Sequence, residues 1–152
     1  MRVIERVIER PRAEQLRGKT ADMLALTWEQ RRWVRGRFTT PAGREIALAL
    51  PTGAKLIPGM VLLVEPDAYV EIAAAPEPVL AISPKDYTTA IRVAFEVGNR
   101  HFPLALKEPE LLVPDDPAMA ALMERLGVAF ERRLEPFEPL GSAAGGAHRH
   151  DP

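Results

Sequence analysis

Histidine is the residue type with the clearest potential for chemistry in this sequence, and the chain has three. His101 stands in the segment Val97-Gly98-Asn99-Arg100-His101-Phe102-Pro103, whereas His148 and His150 lie in the Gly- and Ala-rich C-terminal segment. Imidazole is a common ligand for nickel, copper and zinc. Cysteine is absent, which excludes disulfides, thiolate metal sites and cysteine nucleophiles. A metal site in this chain would therefore depend on its imidazoles.

A single imidazole does not make a metal site, so His101 needs ligands from elsewhere. A two-fold axis beside His101 would bring two copies of it together in a homodimer. His148 and His150 are separated by one residue, and such side chains point the same way in an extended chain. The pair could therefore close over a metal held elsewhere. The alternatives are that His101 is an ordinary surface-loop residue and that the C-terminal pair has no role.

Catalytic constellations are not apparent in the sequence. The serines, Ser83 and Ser142, lie outside a Gly-x-Ser-x-Gly elbow, and there is no phosphate loop, dinucleotide-binding fingerprint or His-Glu-x-x-His motif. The carboxylates between residues 108 and 116 are close in sequence, but we interpret them as a solvated turn and a helix cap. We therefore expect a protein that is not an enzyme, with no catalytic and no cofactor-binding residues.

The basic segment Arg31–Phe38 interleaves arginines with Trp33 and Phe38 on predicted strands. Such a face could stack single-stranded RNA or bind a peptide. We favour the other interpretation, a strand with a solvated basic face and a buried aromatic face, because the chain has no RNA-binding motif and no strongly basic domain. An RNA- or peptide-binding module built on this face is the alternative function.

The composition is that of a globular chain. Of the 152 residues, 47% are hydrophobic and 27% are charged, which excludes intrinsic disorder of the whole chain. No run approaches the roughly 18 consecutive apolar residues of a membrane-spanning helix, and the charged N-terminal residues do not match a signal peptide. Because cysteine is also absent, we expect a cytoplasmic protein that does not bind membranes.

Two patterns of apolar residues divide the chain. Over residues 1–77, short alternating runs separated by Gly and Pro turns predict a small β-rich domain, a sandwich or barrel. Over residues 78–140, the pattern predicts the order βαββαβ, the ferredoxin-like arrangement, with helices over 86–97 and 117–126. Residues 141–152 lack large apolar side chains, so we expect a flexible, disordered tail that carries two of the histidines. The expected fold class is therefore α+β.

The helix predicted over residues 86–97 has an apolar stripe at a period of 3.6 residues, which indicates its core-facing side. Gly98-Asn99 is the expected stop of this helix, because both residues tolerate the left-handed conformation. The proline-containing run Ala73–Pro78 is expected to be a linker or a boundary between the two domains. The stripe consists of Tyr87, Ile91, Ala94 and Val97.

The segment Gly98-Asn99-Arg100-His101-x-Pro103 resembles the UreE family of urease accessory proteins, the nickel metallochaperones. The resemblance extends over nearly the whole chain, and the Gly-Asn-Arg-His core is its most specific part. It also includes Arg35-Gly36-Arg37, Gly59-Met60-Val61-Leu62, the Leu126-Gly127 end of the second helix, and Glu135-Pro136-Phe137-Glu138-Pro139 before the tail.

The resemblance implies a fold and a metal site. The family fold is a β-rich N-terminal domain, similar to a chaperone peptide-binding domain, followed by a ferredoxin-like metal-binding domain. The family works as a homodimer in which the motif histidine, here His101, meets its counterpart at the interface to hold Ni²⁺. The histidines of the family's tail supply extra ligands, which corresponds here to His148 and His150. Zn²⁺ or Cu²⁺ can bind in place of nickel.

By the same resemblance, the function is delivery of Ni²⁺ to apo-urease during assembly of its active site. The partners implied are a second copy of the chain, the GTP-hydrolysing urease accessory protein and, through it, apo-urease, with no nucleic acid and no membrane. A polyhistidine tail is missing, so bulk nickel storage is not expected. Some members have further histidines where this chain has Leu111-Leu112-Val113-Pro114, so a second metal site is not expected there.

Overall fold

The computed structural model describes residues 1–141, which form two compact units, Met1–Ala74 and Ala75–Gly141. The first unit is rich in strands, and the second combines one sheet with two helices. This combination confirms the predicted α+β fold class. Apart from Gly141, the predicted tail lies outside the described residues.

The first unit contains two three-stranded sheets. Its strands are β1 (Arg2–Ile4), β2 (Thr20–Leu26), β3 (Arg35–Thr39), β4 (Glu45–Ala49), β5 (Val61–Val64) and β6 (Ala68–Ala74). One sheet has the order β1-β4-β3 and the other the order β2-β6-β5, and each includes one parallel pair. A single helical turn, α1 (Ala13–Leu16), and a 3₁₀ turn at Gln30–Arg32 lie between the strands.

Alternation decides which side of these strands faces the core. In β2, Asp22, Leu24 and Leu26 are buried while Met23 and Ala25 between them are exposed, as a period of two residues requires. The same pattern buries alternate residues of β4. The apolar ones among these side chains belong to one cluster of Ile4, Leu24, Leu26, Ile46, Leu48, Leu50, Leu56, Met60, Leu62, Leu63, Val70 and Ile72.

A buried carboxylate connects separate segments of the first unit. Asp22 of β2 is 5% exposed and accepts hydrogen bonds from the Thr40 hydroxyl and, at 2.8 Å, from the Arg44 guanidinium. Arg44 also pairs with Glu65 at 3.0 Å. Burial by itself raises the pKa of Asp22, but the hydrogen bonds, including one from the Ala42 amide, outweigh it and hold that pKa below its usual value.

We expect Asp22→Asn to make the first unit less stable and its stability less sensitive to acid. Because the folded-state pKa of Asp22 is lowered, its ionised form stabilises the fold above about pH 4, and this stabilisation is lost as the pH falls through the folded-state pKa. The substitution should lower the free energy of unfolding at neutral pH by about 1–3 kcal/mol. Chemical denaturation at several pH values measures both effects. Glu5→Gln, which removes an exposed carboxylate without an ion-pair partner in the described part of the chain, is the control. Equal acid responses in the two variants would contradict the expectation.

The second unit is a four-stranded antiparallel sheet with two helices that share one apolar cluster. Its elements are β7 (Pro76–Ile82), α2 (Tyr87–Asn99), β8 (Ala105–Lys107), β9 (Glu110–Pro114), α3 (Pro117–Leu126) and β10 (Phe130–Pro136). The spatial order β10-β7-β9-β8 with the chain order βαββαβ is the predicted ferredoxin-like arrangement. Leu80 and Ile82 of β7 alternate into the cluster under the helices.

α3, the second helix of this unit, begins and ends as the sequence predicts. Asp116 caps α3 by accepting a hydrogen bond from the Ala118 amide at 2.8 Å, and Pro117 opens its first turn. Gly127, with a φ of 70°, ends it in the left-handed conformation. None of the helices within residues 1–141 combines the length and apolar content needed to cross a bilayer.

The prediction that the stripe of α2 faces the core is wrong for three of its four residues and correct for Val97. Val93 and Val97 are completely buried, whereas Tyr87, Ile91 and Ala94 are exposed. The helix carries two apolar rows, and the sheet and α3 together enclose the row that contains the two valines. Periodicity identifies both rows but does not decide which of them meets the sheet.

The run Ala73–Pro78 contains the division between the two units, which agrees with a boundary, but it is not a linker because β6 and β7 occupy all of it except Ala75. β7 begins at Pro76 and pairs with β10 along its whole length, whereas its pairing with β9 starts only at Val79. The first part of β7 therefore has a single neighbouring strand, where proline is tolerated because its missing N–H is not needed on the open side. The units divide between Ala74 and Ala75, so β7 belongs entirely to the second.

Candidate metal site

His101 stands just after α2, where the chain turns back towards the sheet. The amide of His101 donates a hydrogen bond to the Gly98 carbonyl at 2.9 Å. The amide of Phe102 donates to the Val97 carbonyl at 3.2 Å. These two bonds form the Schellman motif, which satisfies carbonyls in the last turn of a helix. The turn packs Phe102 against the apolar cluster of the second unit.

The left-handed residue of this turn is His101 itself. Its φ is 63°, and it is the one non-glycine residue with a positive φ among the described residues. The predicted stop at Gly98-Asn99 is therefore wrong, because α2 continues through both residues. A left-handed backbone costs a residue with a Cβ about 1–2 kcal/mol, and glycine is usual at this position. Backbone strain of this type clusters at functional sites.

The imidazole of His101 is exposed and has no hydrogen-bond or ion-pair partner within residues 1–141. The neighbouring Arg100 instead pairs with Glu96 at 2.6 Å across the last turn of α2. In the part of the chain that the structure describes, no three His, Asp or Glu side chains are grouped so that they could hold a metal ion. One chain therefore supplies one imidazole at this position.

Large apolar side chains are exposed along the side of α2 that leads to His101. They recur every four residues and therefore lie on one side of the helix. Gly98 continues this row, and a Cβ at Gly98 would meet nothing within 4 Å. A contiguous exposed apolar surface is typical of an interaction site. We call this surface the α2 stripe, which consists of Tyr87, Ile91 and Phe95, exposed by 80%, 53% and 66%.

The sequence interpretation missed Phe95 and assigned the other two members of the α2 stripe to the core. The available signal was the spacing of the three largest apolar side chains at i, i+4 and i+8, beside a second row of smaller residues. The smaller row, Ala90, Val93 and Val97, is the one that packs against the sheet. Two apolar rows on one helix indicate that a second surface meets the row left exposed.

The chain after β10 returns to the part of the sheet that follows His101. Phe137 is completely buried, and the amide of Leu140 donates a hydrogen bond to the Leu104 carbonyl at 2.8 Å. β10 and β8 are opposite edges of the sheet, so residues 137–140 cross its width, about 14 Å for three strand spacings. We call residues 137–141 the C-terminal strap. The strap ends beside Leu104, three positions from His101.

The other two predicted ligands, His148 and His150, lie outside the described residues. The segment where no second site was expected is β9, and Leu111, Leu112 and Val113 are all buried there. His101 is therefore the predicted ligand whose surroundings the structure describes.

The basic segment Arg31–Phe38 does not form one continuous charged face. Arg31 is 4% exposed and donates a hydrogen bond to the Leu26 carbonyl at 2.7 Å. It belongs to the packing of the first unit. The inclusion of Arg31 in a basic binding face is therefore wrong, and a buried guanidinium that holds a backbone carbonyl accounts for its position.

The aromatic and basic side chains of β3 lie on opposite sides of the strand. Arg35 and Arg37 are exposed, whereas Phe38 packs against the core and stacks with Trp33 at a ring-centroid distance of 6.1 Å. Stacking of nucleic-acid bases requires rings and positive charges on one surface. β3 itself therefore offers no ring beside its charges, whereas Trp33, which precedes β3, is 45% exposed.

Two family models match the chain. The model of the UreE urease accessory protein N-terminal domain matches residues 4–75, and that of the C-terminal domain matches residues 77–152. The chain belongs to the UreE urease accessory protein family. The C-terminal match contains the whole of the second unit except its first two residues, and with it His101 and the C-terminal strap.

Curated relatives of this UreE chain carry the name Urease accessory protein UreE. That of Burkholderia lata is 39% identical over 130 residues, which are 86% of this chain and 63% of the relative. That of Paraburkholderia xenovorans is 38% identical over 132 residues, 87% of this chain and 59% of the relative. That of Burkholderia mallei is 40% identical over 130 residues, which are 86% of this chain and 64% of the relative. The match spans less than two thirds of each of these relatives.

The left-handed backbone at His101 predicts different stabilities for two UreE variants that both lack the imidazole. His101→Gly relieves the strain at Cβ, so we expect its free energy of unfolding to exceed that of His101→Ala by about 1 kcal/mol. Urea denaturation measures the difference. The control is Ala94→Gly at an exposed helical position of α2, where glycine should instead lower stability by about 1 kcal/mol. Equal stability of the two His101 variants would contradict the expectation.

Proposed function

We propose that this UreE chain is a nickel metallochaperone, which binds Ni²⁺ at a homodimer interface and delivers it to apo-urease during assembly of the urease active site. The observation that carries the proposal is the position of His101, an exposed imidazole in a strained turn at the end of the α2 stripe. The proposed ligands are His101 from both chains, with His148 and His150 as additional ligands. The protein is a carrier of nickel and not an enzyme.

A two-fold axis beside His101 accounts for two features of the second unit. The first is the lone imidazole, because the axis adds the same residue from a second copy. The second is the α2 stripe, because a symmetric contact places the stripe of one chain against that of the other. Burial of each large apolar side chain contributes about 1.5–3 kcal/mol, so the three side chains provide a substantial driving force for association.

The C-terminal strap supports a role for the tail histidines. The hydrogen bond between Leu140 and Leu104 fixes the end of the strap within three residues of His101. His148 follows Leu140 by eight residues, a length of chain that extends to at most about 27 Å. This length is sufficient for His148 and His150 to reach a metal at His101, in the same chain or in the second copy.

Imidazole ligation suits a protein that must release its metal. A cage of four thiolates would favour zinc or copper(I) and hold it tightly. Two His101 imidazoles, completed by tail imidazoles and water, leave positions that an acceptor can take over. Protons compete with the metal for the same nitrogen atoms, so affinity falls as the pH falls. Zn²⁺ and Cu²⁺ can occupy the same ligands, since the intrinsic order of affinities does not exclude them.

The protein that would accept the nickel is proposed from the family to which the chain belongs. The relatives are named urease accessory proteins. In this proposal the metal passes in the cytoplasm to the GTP-hydrolysing urease accessory protein and, through that complex, to apo-urease. The function involves neither nucleic acid nor a membrane.

Nickel titration by calorimetry tests the ligand set. We expect the intact chain to bind about one Ni²⁺ per two chains, because the two-fold axis places one site between them. His101→Ala should abolish this binding. The double variant His148→Ala/His150→Ala, which removes more imidazoles, should retain the stoichiometry with affinity lowered about tenfold or more. Unchanged nickel binding in His101→Ala would contradict the proposal.

An acidic residue in the α2 stripe should dissociate the dimer. Ile91→Asp places a charge where the proposed interface is apolar, so we expect the dimer dissociation constant to rise about 100-fold or more. Analytical ultracentrifugation over a range of concentrations measures it. Ala121→Asp, at an exposed position of α3 outside the stripe, is the matched control and should leave the dimer intact. A dimer that withstands Ile91→Asp would show that another surface holds the copies together.

A further inference from the structure

A cavity of about 330 Å³ opens between the first turns of α2 and the end of α3. Ser83 and Lys85 from the β7–α2 connection line it, together with Thr89 and Arg92 from α2. The remaining lining is apolar and comes from Val93 and from the chain between α3 and β10. Its volume is at the lower end of the range for sites that bind small molecules. His101 is not among the described residues that line it.

The cavity has unpaired positive charge. Lys85 and Arg92 make no ion pair with a carboxylate within residues 1–141, and no acidic side chain lines the cavity. The neighbouring Asp86 carboxylate accepts hydrogen bonds from the Thr89 side chain and, at 2.8 Å, from the Thr89 amide at the start of α2, and it also feels the charge of Lys85. Four other basic side chains of the second unit pair with a carboxylate, namely Arg100, Lys107, Arg132 and Arg133.

The cavity lies on a different flank of α2 from the α2 stripe. With 3.6 residues per turn, Thr89 and Arg92 point about 100–160° away from the direction of the stripe. Val93, which faces the core, also lines the cavity. The residues that line the cavity are therefore distinct from those of the α2 stripe.

We propose that this cavity binds the phosphate group of a small phosphorylated organic molecule. A guanidinium, an ammonium and the Ser83 hydroxyl can donate to several oxygens of one phosphate, and the two charges match a dianion better than a single carboxylate. The apolar lining from Val93, Leu126 and Val128 provides a contact for the organic part. The same oxyanion chemistry would also bind free inorganic phosphate. The proposal is independent of nickel binding.

Titration of the full chain with phenyl phosphate, followed by two-dimensional NMR of the backbone amides, tests the proposal. We expect saturable shifts confined to amides of residues 83–93 and 126–129. Arg92→Gln and Lys85→Gln should each weaken binding about tenfold or more, because each removes a charged donor. Arg35→Gln, which removes an exposed charge of the first unit that has no ion-pair partner among residues 1–141, is the matched control and should leave the affinity unchanged.

Two further probes identify the source of the oxyanion. Inorganic phosphate should bind more weakly than phenyl phosphate because it lacks the apolar group, and benzoate should bind more weakly because it lacks the dianion. Inorganic phosphate that binds as tightly as phenyl phosphate would overturn the organic part of the proposal. Shifts that do not saturate, or an affinity unaltered by both Arg92→Gln and Lys85→Gln, would overturn all of it. Nickel stoichiometry should be the same with and without phenyl phosphate, so failure here leaves the proposed nickel site untouched.

Discussion

The hydrogen bond from the Phe102 amide to the Val97 carbonyl closes α2, and the proposed metal chemistry depends on it. It reverses the chain so that Phe102 returns to the apolar cluster while the next residue back, His101, stays outside. The reversal requires a left-handed residue, and histidine occupies that position with a φ of 63°. Glycine would make the same turn with less strain but would leave no ligand there. The turn thus combines a structural requirement with the one imidazole that the described residues expose.

α2 presents three different surfaces around its axis. Val93 and Val97 hold it on the sheet, the α2 stripe stays open to a second chain, and the opposite flank forms one wall of the cationic cavity. These surfaces are compatible because a helix separates its residues by about 100° each, so neighbours in sequence face different directions. A short helix can in this way carry the proposed metal ligand at its end and, on its sides, the surfaces proposed for association and for ligand binding.

The charged side chains of the second unit also differ between those that hold its strands together and those that line the cavity. Arg133 of β10 pairs with Glu110 at 2.6 Å and with Glu135 at 2.8 Å, across the sheet and along its own strand. The hydrogen bond from Arg133 outweighs burial and holds the pKa of Glu110 below its usual value. Lys85 and Arg92 have no such partner within the described residues. Charges are thus neutralised where strands meet and left available at the mouth of the cavity.

The sequence by itself determined the elements and the candidate ligand. Alternation identified most of the strands, Asp116 and Gly127 marked the ends of α3, and the rarity of histidine directed attention to His101. Only the tertiary structure decided which row of α2 is buried, that His101 and not Gly98-Asn99 makes the left-handed turn, and that the C-terminal strap ends at Leu104. The first group depends on local periodicity and capping, which neighbouring residues encode. The second depends on contacts between segments far apart in the chain, and a helix with two apolar rows shows which one is buried only when the sheet and α3 are in place.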